Sequence, residues 1–441
     1  MNYKIEFLGC KVNSYEADCL NDELEKRGYS LFDEKKDSSI DIVIINTCAV
    51  TETSVTKDRK MIRHYKKKYP SCILVAMGCY AQYMGKTTQD ELGIDIVVGT
   101  SNRSQIPSLI DEYLINKKKI YLIEENRNID KYEEISLKDT LGNTRAYVKI
   151  QDGCDNFCTY CLIPYIRGRS RSRSKETILD EIRSLLENNY KEIVLTGIDM
   201  GSYGVDKDDH YFFSDLIEDI LKTFPNLYRL RISSLEESQI DDKLLDLFKN
   251  YKTLASHFHI PLQSGSEFIL KKMNRKYNLE NYKKTIKKIR SIREDVAITT
   301  DVIVGFPYES EDLFLETYKF IKEIKFSKVH VFPYSRRQGT IANKYPEQVE
   351  EVNKKLRVAS LIELSNDLEE EYKSKFYGKT IEFLFENYDP KMKAYRGHSS
   401  NYLEYYYQSD KNITNEVLTL EYKDDKKLNI FDNVKKIFSR L

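Results

Sequence analysis

Three cysteines share one short stretch of this 441-residue chain, Cys154-Asp155-Asn156-Phe157-Cys158-Thr159-Tyr160-Cys161. A [4Fe-4S] cluster can take one cysteine thiolate per iron, so three cysteines leave one iron open to a ligand that is not protein. The alternative is a zinc site, or a cluster that only stabilises the loop. Structural zinc usually has four nitrogen or sulfur ligands, and no cysteine or histidine closely follows Cys161. The spacing therefore favours a cluster whose open iron carries the chemistry.

Three further cysteines, Cys10, Cys48 and Cys79, each end an apolar, strand-like run. Helical periodicity follows each run, which predicts a βαβαβα segment with a parallel sheet. Because the carboxyl ends of parallel strands face one crevice, these three thiols are expected to converge in space. In chain order, we call Cys10, Cys48 and Cys79 the first cysteine set and the three cysteines of the loop at 154–161 the second. Gly9 and Gly78 precede two of them and suit a tight turn beside a bulky ligand.

The cysteine loop, with Tyr160 before its last cysteine, resembles the signature of radical S-adenosylmethionine enzymes. Over nearly its whole length the chain resembles the methylthiotransferases of that class. The matching motifs are Leu8-Gly9-Cys10-Lys11-Val12-Asn13, Asn46-Thr47-Cys48, Gly78-Cys79-Tyr80-Ala81-Gln82, and Gln151-Asp152-Gly153-Cys154 through Pro164-Tyr165-Ile166-Arg167-Gly168-Arg169.

This resemblance implies two [4Fe-4S] clusters, an auxiliary cluster on the first cysteine set and a radical cluster on the second. One S-adenosylmethionine would give the 5′-deoxyadenosyl radical and another the methyl group. Sulfur carried on the auxiliary cluster would be methylated and joined to C2 of a modified adenine. The implied partners are a tRNA anticodon stem-loop, an electron donor protein and a sulfur source.

Fewer residues support the assignment of the chain to one branch of the family. Lys11-Val12-Asn13, residues 57–63 and residues 330–335 are most similar to the branch that acts on threonylcarbamoyladenosine in tRNA. The isopentenyladenosine branch and the ribosomal-protein branch are the alternatives. An alternative that is not an enzyme is an RNA-binding protein whose iron–sulfur clusters act as a sensor. This alternative would not explain two separate three-cysteine sets.

The resemblance and the composition shifts together predict an α/β chain of three domains. We expect a parallel αβ domain at 1–113, a polar connector at about 116–141, a partial (β/α)6 barrel at 140–370 and a small β-barrel of the TRAM type at 373–441. Strand-like runs in the barrel are expected at 146–151, 192–197, 228–233, 256–262, 297–305 and 328–333. The active site of such barrels lies at the carboxyl ends of the strands.

Polar residues at those strand ends are candidates for holding S-adenosylmethionine. With Tyr160 beside the cluster, they are Thr196, Gly197, Ser233, Ser234, Gln263, Ser264, Gly265 and Asp301 with the following residues to Pro307. Strand-end serines also cap helices, which is the alternative for each of them. Asp301 and Gln263 are the better candidates.

Formal net charge is zero, so nucleic-acid binding must come from local basic stretches. Three stand out, at 57–68, 167–175 and 271–276, and each could instead be a solvated face. The residues expected to contact RNA are Arg167, Arg169, Arg171, Arg173, Arg275, Lys276 and Arg396. In the last domain, Tyr402, Tyr405, Tyr406 and Tyr407 lie close to Lys391, Lys393 and Arg396, which suits single-stranded RNA stacking, unless the tyrosines only cover their own core.

Two further features are worth testing. His257 and His259 sit two apart on a predicted strand and so share a face. They could contact substrate or satisfy a polar barrel interior, and a mononuclear metal there would need a third ligand in reach. Tyr308 stands where the family usually has glycine. If that glycine supplies a positive φ, Tyr308 must adopt an unusual backbone or the turn must shift.

Cys19 and Cys72 are expected to be buried core residues. We also expect a cytoplasmic protein with no membrane partner. No apolar run approaches 18 residues, Cys10 leaves no room for a cleavable signal, and eight thiols suit a reducing compartment.

Overall fold

A computed structural model describes residues 1–125, 129, 131–137 and 144–423 of the chain. The N-terminal part is a parallel sheet of six strands in the order β2-β1-β3-β4-β5-β6. Its elements are β1 (Asn2–Phe7), α1 (Lys11–Lys26), β2 (Ser30–Leu31), β3 (Ile42–Thr47), α2 (Glu52–Lys68), β4 (Ile73–Gly78), α3 (Cys79–Tyr83), α4 (Lys86–Leu92), β5 (Ile96–Val98), α5 (Ile106–Asn116) and β6 (Ile120–Leu122).

The central strands β3 and β4 are buried along their whole length. Helices cover both faces of a parallel sheet, so its inner strands can be continuous apolar runs rather than alternating ones. The predicted βαβαβα order is confirmed, and each of its three strands ends just before a cysteine of the first set. Cys19 and Cys72 are buried, as expected.

The connector expected at 116–141 differs from the observed structure. β6 lies inside it and pairs with β5, so the N-terminal sheet extends beyond residue 113. Further along, Leu137 is buried in the core of the next domain, and the Tyr132 hydroxyl donates to the Lys149 carbonyl (3.1 Å). Residues 126–128, 130 and 138–143 lie outside the described part of the chain.

The middle part is an open barrel of six parallel strands. They follow one another as β7-β10-β11 and β12-β13-β14, and bridges from Leu230 to Leu254 and from Ser234 to His259 join the two halves. The elements are β7 (Arg145–Lys149), β8 (Gln151–Asp152), α6 (Ile163–Arg167), β9 (Arg171–Ser172), α7 (Lys175–Glu187), β10 (Glu192–Thr196), α8 (Phe213–Thr223), β11 (Arg229–Ile232), α9 (Asp242–Asn250), β12 (His257–His259), α10 (Glu267–Lys272), α11 (Leu279–Ile292), β13 (Ala297–Val304), α12 (Glu311–Ile324), β14 (Lys328–Pro333) and α13 (Glu351–Ser374).

The C-terminal part is an antiparallel sheet in the order β17-β16-β15-β18. Its strands are β15 (Thr380–Asp389), β16 (Ala394–His398), β17 (Glu404–Tyr407) and β18 (Val417–Glu421). Apolar side chains, among them Phe383, Phe385 and Tyr405, form its core. The expected domain runs to residue 441, and residues 424–441 lie outside the described part.

The C-terminal sheet packs against the barrel through buried charged groups. The guanidinium of Arg229 donates to the His398 carbonyl (3.1 Å), and that of Arg231 donates to the Ser399 (3.2 Å) and Ser400 (3.0 Å) carbonyls. Glu192 pairs with both arginines, at 2.9 and 2.8 Å. No helix within the described ranges is both long enough and apolar enough to cross a membrane.

Candidate active site

The cysteine loop of the second set follows the first barrel strand. Gly153 has a φ of 75°, and a Cβ there would overlap the carbonyl group of Arg169, so the chain can enter the loop in this conformation only through glycine. Backbone N–H groups of Asn156 and Ile163 donate to the sulfurs of Cys154 (3.5 Å) and Cys161 (3.4 Å). The loop thus holds its sulfurs in a fixed turn at the carboxyl end of the barrel.

A side chain also donates to this cysteine set. The guanidinium of Arg275 lies 3.3 Å from the sulfur of Cys158 and 2.9 Å from a carboxylate oxygen of Glu236. Burial raises the pKa of Cys161 to about 12 and raises that of Cys154 as well. A bound cation is therefore needed to keep these sulfurs as thiolates at neutral pH. Three thiols, with N–H donors aimed at their sulfurs, are a donor set that fits a [4Fe-4S] cluster.

The first cysteine set meets at the edge of the N-terminal sheet. Cys10 precedes α1, Cys48 follows β3, and Cys79 opens α3 directly after β4. Burial is the main cause that raises the pKa of Cys79 to about 12, and Cys48 and Cys10 contribute to the same rise, which places the three thiols in one neighbourhood. Gly9, with a φ of 114°, would bring a Cβ to 3.0 Å from the Cys48 sulfur. This glycine therefore leaves the room around the thiols that a cluster requires.

Arg167 connects the two cysteine sets. It lies at the end of α6, and its Nε–H donates to the Cys79 sulfur (3.3 Å). The same guanidinium pairs with Glu16 (2.9 Å) and Asp152 (3.0 Å), and Arg167 is completely buried. Burial disfavours the charged form of Glu16, yet Arg103, Arg167 and Lys149 hold its pKa well below the usual range. The network therefore ties the N-terminal domain to the strand that leads into the cysteine loop.

The expectation that Arg167, Arg171, Arg173 and Arg275 contact RNA needs correction. Arg167, Arg171 and Arg173 are buried, and the side chain of Arg275 is only 5% exposed. Arg167, Arg173 and Arg275 pair with carboxylates, whereas Arg171 donates to the Arg169 carbonyl (2.7 Å). The sequence does not reveal these partners. Arg169, Lys276 and Arg396 are exposed, although Arg169 pairs with Asp155 (2.9 Å) and Arg396 with Glu404.

Some of the strand-end candidates meet beside the second cysteine set. Tyr160, Ser234 and Gln263 line a cavity of about 160 Å³ together with the three cysteines. Asp199, Glu236 and Gln239 also line this cavity and were missed. They lie a few residues beyond β10 and β11, so the strand-end argument could have been extended to Asp199 and Glu236.

The other candidates lie elsewhere. Thr196 is buried, and its carbonyl accepts from Ile150 (2.9 Å). A Cβ at Gly197 would lie 3.2 Å from the backbone and side-chain oxygens of Gln151. The side-chain amide oxygen of Gln151 accepts from the N–H of Asp199 (2.8 Å). The buried Ser264 bonds to Thr317 of α12 (3.2 Å). These residues support the barrel wall and line neither this cavity nor the larger one described next.

Ser233 forms a hydrogen bond, and Asp301 an ion pair, with residues that line a second, larger cavity. Its volume is about 500 Å³, it lies between the barrel and the C-terminal sheet, and Ser234 lines both cavities. Ser233 accepts a hydrogen bond from Lys11 (3.2 Å), and Asp301 pairs with His259 (3.3 Å). The larger cavity thus adjoins the cluster loop on one side and, through Lys11, the first cysteine set on the other.

The two strand histidines share a face, as predicted, because both rings bond to the Thr299 hydroxyl, at 3.0 and 2.9 Å. Two further ligand groups are in reach of His259. Asp301 and His330 come from the two following strands, and their ligand atoms and that of His259 all lie within 4.8 Å of one another. Neighbouring strands in register supply this convergence.

The C-terminal tyrosines divide between two roles. Tyr405 belongs to the core of its own sheet, which is the alternative that the sequence left open. Tyr402 lines the larger cavity with the guanidinium of Arg231 lying 3.7 Å from its ring centroid. Tyr407 is exposed.

Tyr308 has the unusual backbone that the sequence predicts, with a φ of 72°. Its N–H donates to the Glu347 carbonyl (2.8 Å), and the ammonium of Lys272 lies 4.4 Å from its ring centroid. The turn therefore keeps its shape without glycine, and the ring faces a cation.

Two family models match the chain. Residues 148–321 match the Radical SAM superfamily, and residues 2–99 match the Uncharacterized protein family UPF0004. The two matches cover the two cysteine sets.

Full-length relatives are similar to nearly the whole chain. The Threonylcarbamoyladenosine tRNA methylthiotransferase MtaB of Bacillus subtilis is 38% identical, covering 94% of this chain and 92% of that protein. The relative of the same name from Thermotoga maritima is 36% identical, with 91% and 89% covered. The tRNA-2-methylthio-N(6)-dimethylallyladenosine synthase of a Thermoanaerobacter species is also 38% identical, with 87% and 82% covered.

Among solved structures, the fold resembles the radical S-adenosylmethionine methyltransferase TsrM from Kitasatospora setae. The TM-score is 0.57 with 14% identity, and the match covers 77% of this chain and 76% of that one. At this identity the likeness concerns the fold alone.

Proposed function

The chain belongs to the methylthiotransferase family of radical S-adenosylmethionine enzymes, and from this we propose that it converts N6-threonylcarbamoyladenosine at position 37 of tRNA to its 2-methylthio derivative. Relatives named for two different modified adenosines are equally identical to it, so similarity does not choose the substrate. The observation that carries the choice is the lining of the larger cavity.

That lining is polar and charged. Among the described residues, Ala297 and Leu403 are its aliphatic members, and the others are charged, polar or aromatic. The threonylcarbamoyl group carries a carboxylate, a hydroxyl and amides, each of which needs a partner when it leaves water. An isopentenyl group has only hydrocarbon to bury and suits an apolar pocket. The cavity therefore favours the threonylcarbamoyl group.

The family implies one [4Fe-4S] cluster and S-adenosylmethionine, for which Cys154, Cys158 and Cys161 are the ligands that fit. We extend this to an auxiliary cluster on Cys10, Cys48 and Cys79. When bound, these groups supply an electron that cleaves S-adenosylmethionine to a radical, and an iron site that carries sulfur. An aromatic C–H offers no easy polar route to substitution, so a radical route is required.

The protein's own residues orient these parts. Arg275 and Arg167 each donate an N–H to one cysteine sulfur, one in each set, and such hydrogen bonds tune a cluster. Tyr160, Ser234 and Gln263 lie where S-adenosylmethionine would contact the barrel. Because Ser234 lines both cavities, an adenine in the larger one would adjoin the site of radical formation.

The tRNA anticodon stem-loop would reach the larger cavity from the side of the C-terminal sheet. Arg169, Lys276 and Arg396 are the exposed cations kept from the predicted set, and they would contact phosphates. An electron donor protein and a sulfur source complete the reaction.

The test uses reconstituted protein and two stem-loop RNAs, one carrying threonylcarbamoyladenosine and the other isopentenyladenosine. We expect the 2-methylthio product from the first RNA alone, detected by mass spectrometry of the nucleosides. Product from the second RNA alone would keep the chemistry and overturn the substrate. A reduced, reconstituted sample that forms no 5′-deoxyadenosine would instead favour the iron–sulfur sensor.

Cysteine variants separate the two sets. Cys154→Ala should abolish formation of 5′-deoxyadenosine, whereas Cys10→Ala should retain it and yield no methylthio product. Each variant should contain about half of the wild-type iron, since each set would hold one of two clusters. If Cys10→Ala kept all of its iron, the auxiliary cluster would be assigned to the wrong residues.

A further inference from the structure

Among the residues that the structure describes, one cation of the larger cavity has no acidic partner. Arg145 pairs with Glu386 (2.9 Å), Arg396 pairs with Glu404, and Lys328 pairs with Glu369 (3.1 Å). In the described part of the chain, no carboxylate oxygen lies within 4.0 Å of the Lys11 ammonium, which donates to the Ser233 hydroxyl (3.2 Å).

The nearby carboxylate of Glu192 cannot serve Lys11, because it is already shared by two arginines. Its oxygens lie 2.9 Å from Arg229 and 2.8 Å from Arg231, both of which are buried. Arg145 and Arg231 also bring positive charge close to Lys11. This end of the cavity therefore holds excess positive charge and is complementary to an anionic group of a ligand.

Lys11 also occupies a defined position relative to the chemistry. It is the first residue of α1 and directly follows Cys10, and its side chain crosses to Ser233 beyond the end of β11. A ligand group held by this ammonium would therefore be fixed relative to the first cysteine set and to the barrel at once.

We propose that Lys11 binds the carboxylate of the threonylcarbamoyl group and thereby sets the substrate specificity of the cavity. This inference rests on the proposed function, because it takes the threonylcarbamoyl group as the ligand. An ammonium makes strong, charge-assisted hydrogen bonds to a carboxylate. An isopentenyl group would cover the same ammonium without pairing it, which is costly. Lys11 thus both attracts one substrate and disfavours the other.

A phosphate of the RNA has the same anionic chemistry, so the experiment must separate the two sources. It uses two stem-loop RNAs, one with threonylcarbamoyladenosine and one with its methyl ester, in which the carboxylate is masked. Each RNA is tested with the wild type and with Lys11→Met, and kcat and KM are measured separately.

For the wild type, we expect the ester to lower kcat/KM about tenfold or more, mainly through KM, as the loss of a charge-assisted hydrogen bond does. Lys11→Met should show the same loss on the free acid and little further loss on the ester. Lys11→Arg should recover part of the activity. If esterification lowered kcat/KM by the same factor in the wild type and in Lys11→Met, Lys11 would not contact the carboxylate. In that case, a loss of activity that Lys11→Met causes equally on both RNAs would assign Lys11 to a phosphate.

The controls follow from the position of Lys11 beside Cys10. Iron and sulfide content of the variant must match the wild type, and Lys11→Gln, which keeps a polar side chain, repeats the comparison if Lys11→Met loses iron. Lys26→Met removes an exposed lysine at the other end of the same helix and should leave both constants unchanged. A wild type inactive on the threonylcarbamoyl RNA and active on the isopentenyl RNA would refute the proposed function itself, whatever the variants do.

Discussion

At the scale of single residues, Arg167 does most to connect the two cysteine sets. Its guanidinium contacts the Cys79 sulfur on one side and Glu16 and Asp152 on the other, all without access to water. Arg103 and Lys149 share the same two carboxylates. Buried ion pairs of this kind need every member, because a missing cation leaves a buried carboxylate undercompensated.

Replacing Arg167 should therefore be costly. We expect Arg167→Met to lower the free energy of unfolding by about 3 kcal/mol or more, measured by chemical denaturation of the cluster-free protein. Arg169→Met, two residues away and exposed, is the matched control and should have little effect. Equal stability of the two variants would mean that the network contributes nothing.

The cysteines could be predicted from the sequence because cluster ligands are set by residue type and spacing. The arginines could not, because a run of positive charge looks the same whether it faces RNA or buried carboxylates. Glu16 lies more than 150 residues from Arg167 in the chain, and only folding brings them to 2.9 Å. The proximity of Asp301 and His330 to His259 could not be predicted for the same reason, because these residues belong to other strands.

At the scale of elements, the turn between β4 and α3 determines where Cys79 lies. Gly78 has a φ of 93°, a Cβ there would overlap the Asn46 side chain, and it would lie 2.8 Å from the Thr47 carbonyl oxygen. The strand can therefore deliver Cys79 to the first set only if its last residue is glycine.

We expect Gly78→Ala to destabilise the protein by about 1–3 kcal/mol and to lower its iron content after reconstitution, since Cys79 would move. Gly85→Ala is the control, because Gly85 has a φ of −76° and no atom within 4 Å of a built Cβ. That variant should be at least as stable as the wild type. Normal iron content in Gly78→Ala would show that the turn can shift without losing the ligand.

Apolar strands such as β3 and β4 could be predicted because their burial along the whole length favours apolar residues. The two-residue β2 and the mixed-polarity β16 were missed. Strands of this kind form because a neighbouring strand offers free hydrogen-bonding groups, and their own residues give little pattern to detect.

At the scale of the whole molecule, the larger cavity exists because three parts of the chain meet. Lys11 comes from α1 of the N-terminal part, His257, His259 and His330 come from the barrel, and Tyr402 comes from the turn between β16 and β17. The order of domains follows from the family resemblance, but the cavity has no signal in the sequence, because its walls are far apart along the chain. Glu192 helps to hold it together by orienting the two arginines that bind the C-terminal sheet.

Glu192 should make stability depend on pH in a defined direction. Burial opposes its ionisation, but Arg231 and Arg229 lower its pKa to about 2, below the usual 4.5. Its contribution, about 3 kcal/mol for such a shift, is present above pH 4.5 and is lost as the pH falls toward 2. Unfolding of the wild type and Glu192→Gln should therefore differ most near neutral pH and converge under acid.

The control for this measurement is Glu280→Gln, which removes an exposed carboxylate paired with Lys284. It should show no such convergence, because solvent screens the pair. A difference between wild type and Glu192→Gln that stays constant from pH 7 to pH 3 would contradict the role given to Glu192.

The most direct measurement is mass spectrometry of nucleosides from total tRNA of cells with and without this gene. In cells without the gene, we expect 2-methylthio-threonylcarbamoyladenosine alone to disappear and its precursor without the methylthio group to accumulate. Loss of the isopentenyl counterpart instead would contradict the substrate assigned to the cavity, and unchanged tRNA would contradict the function as a whole.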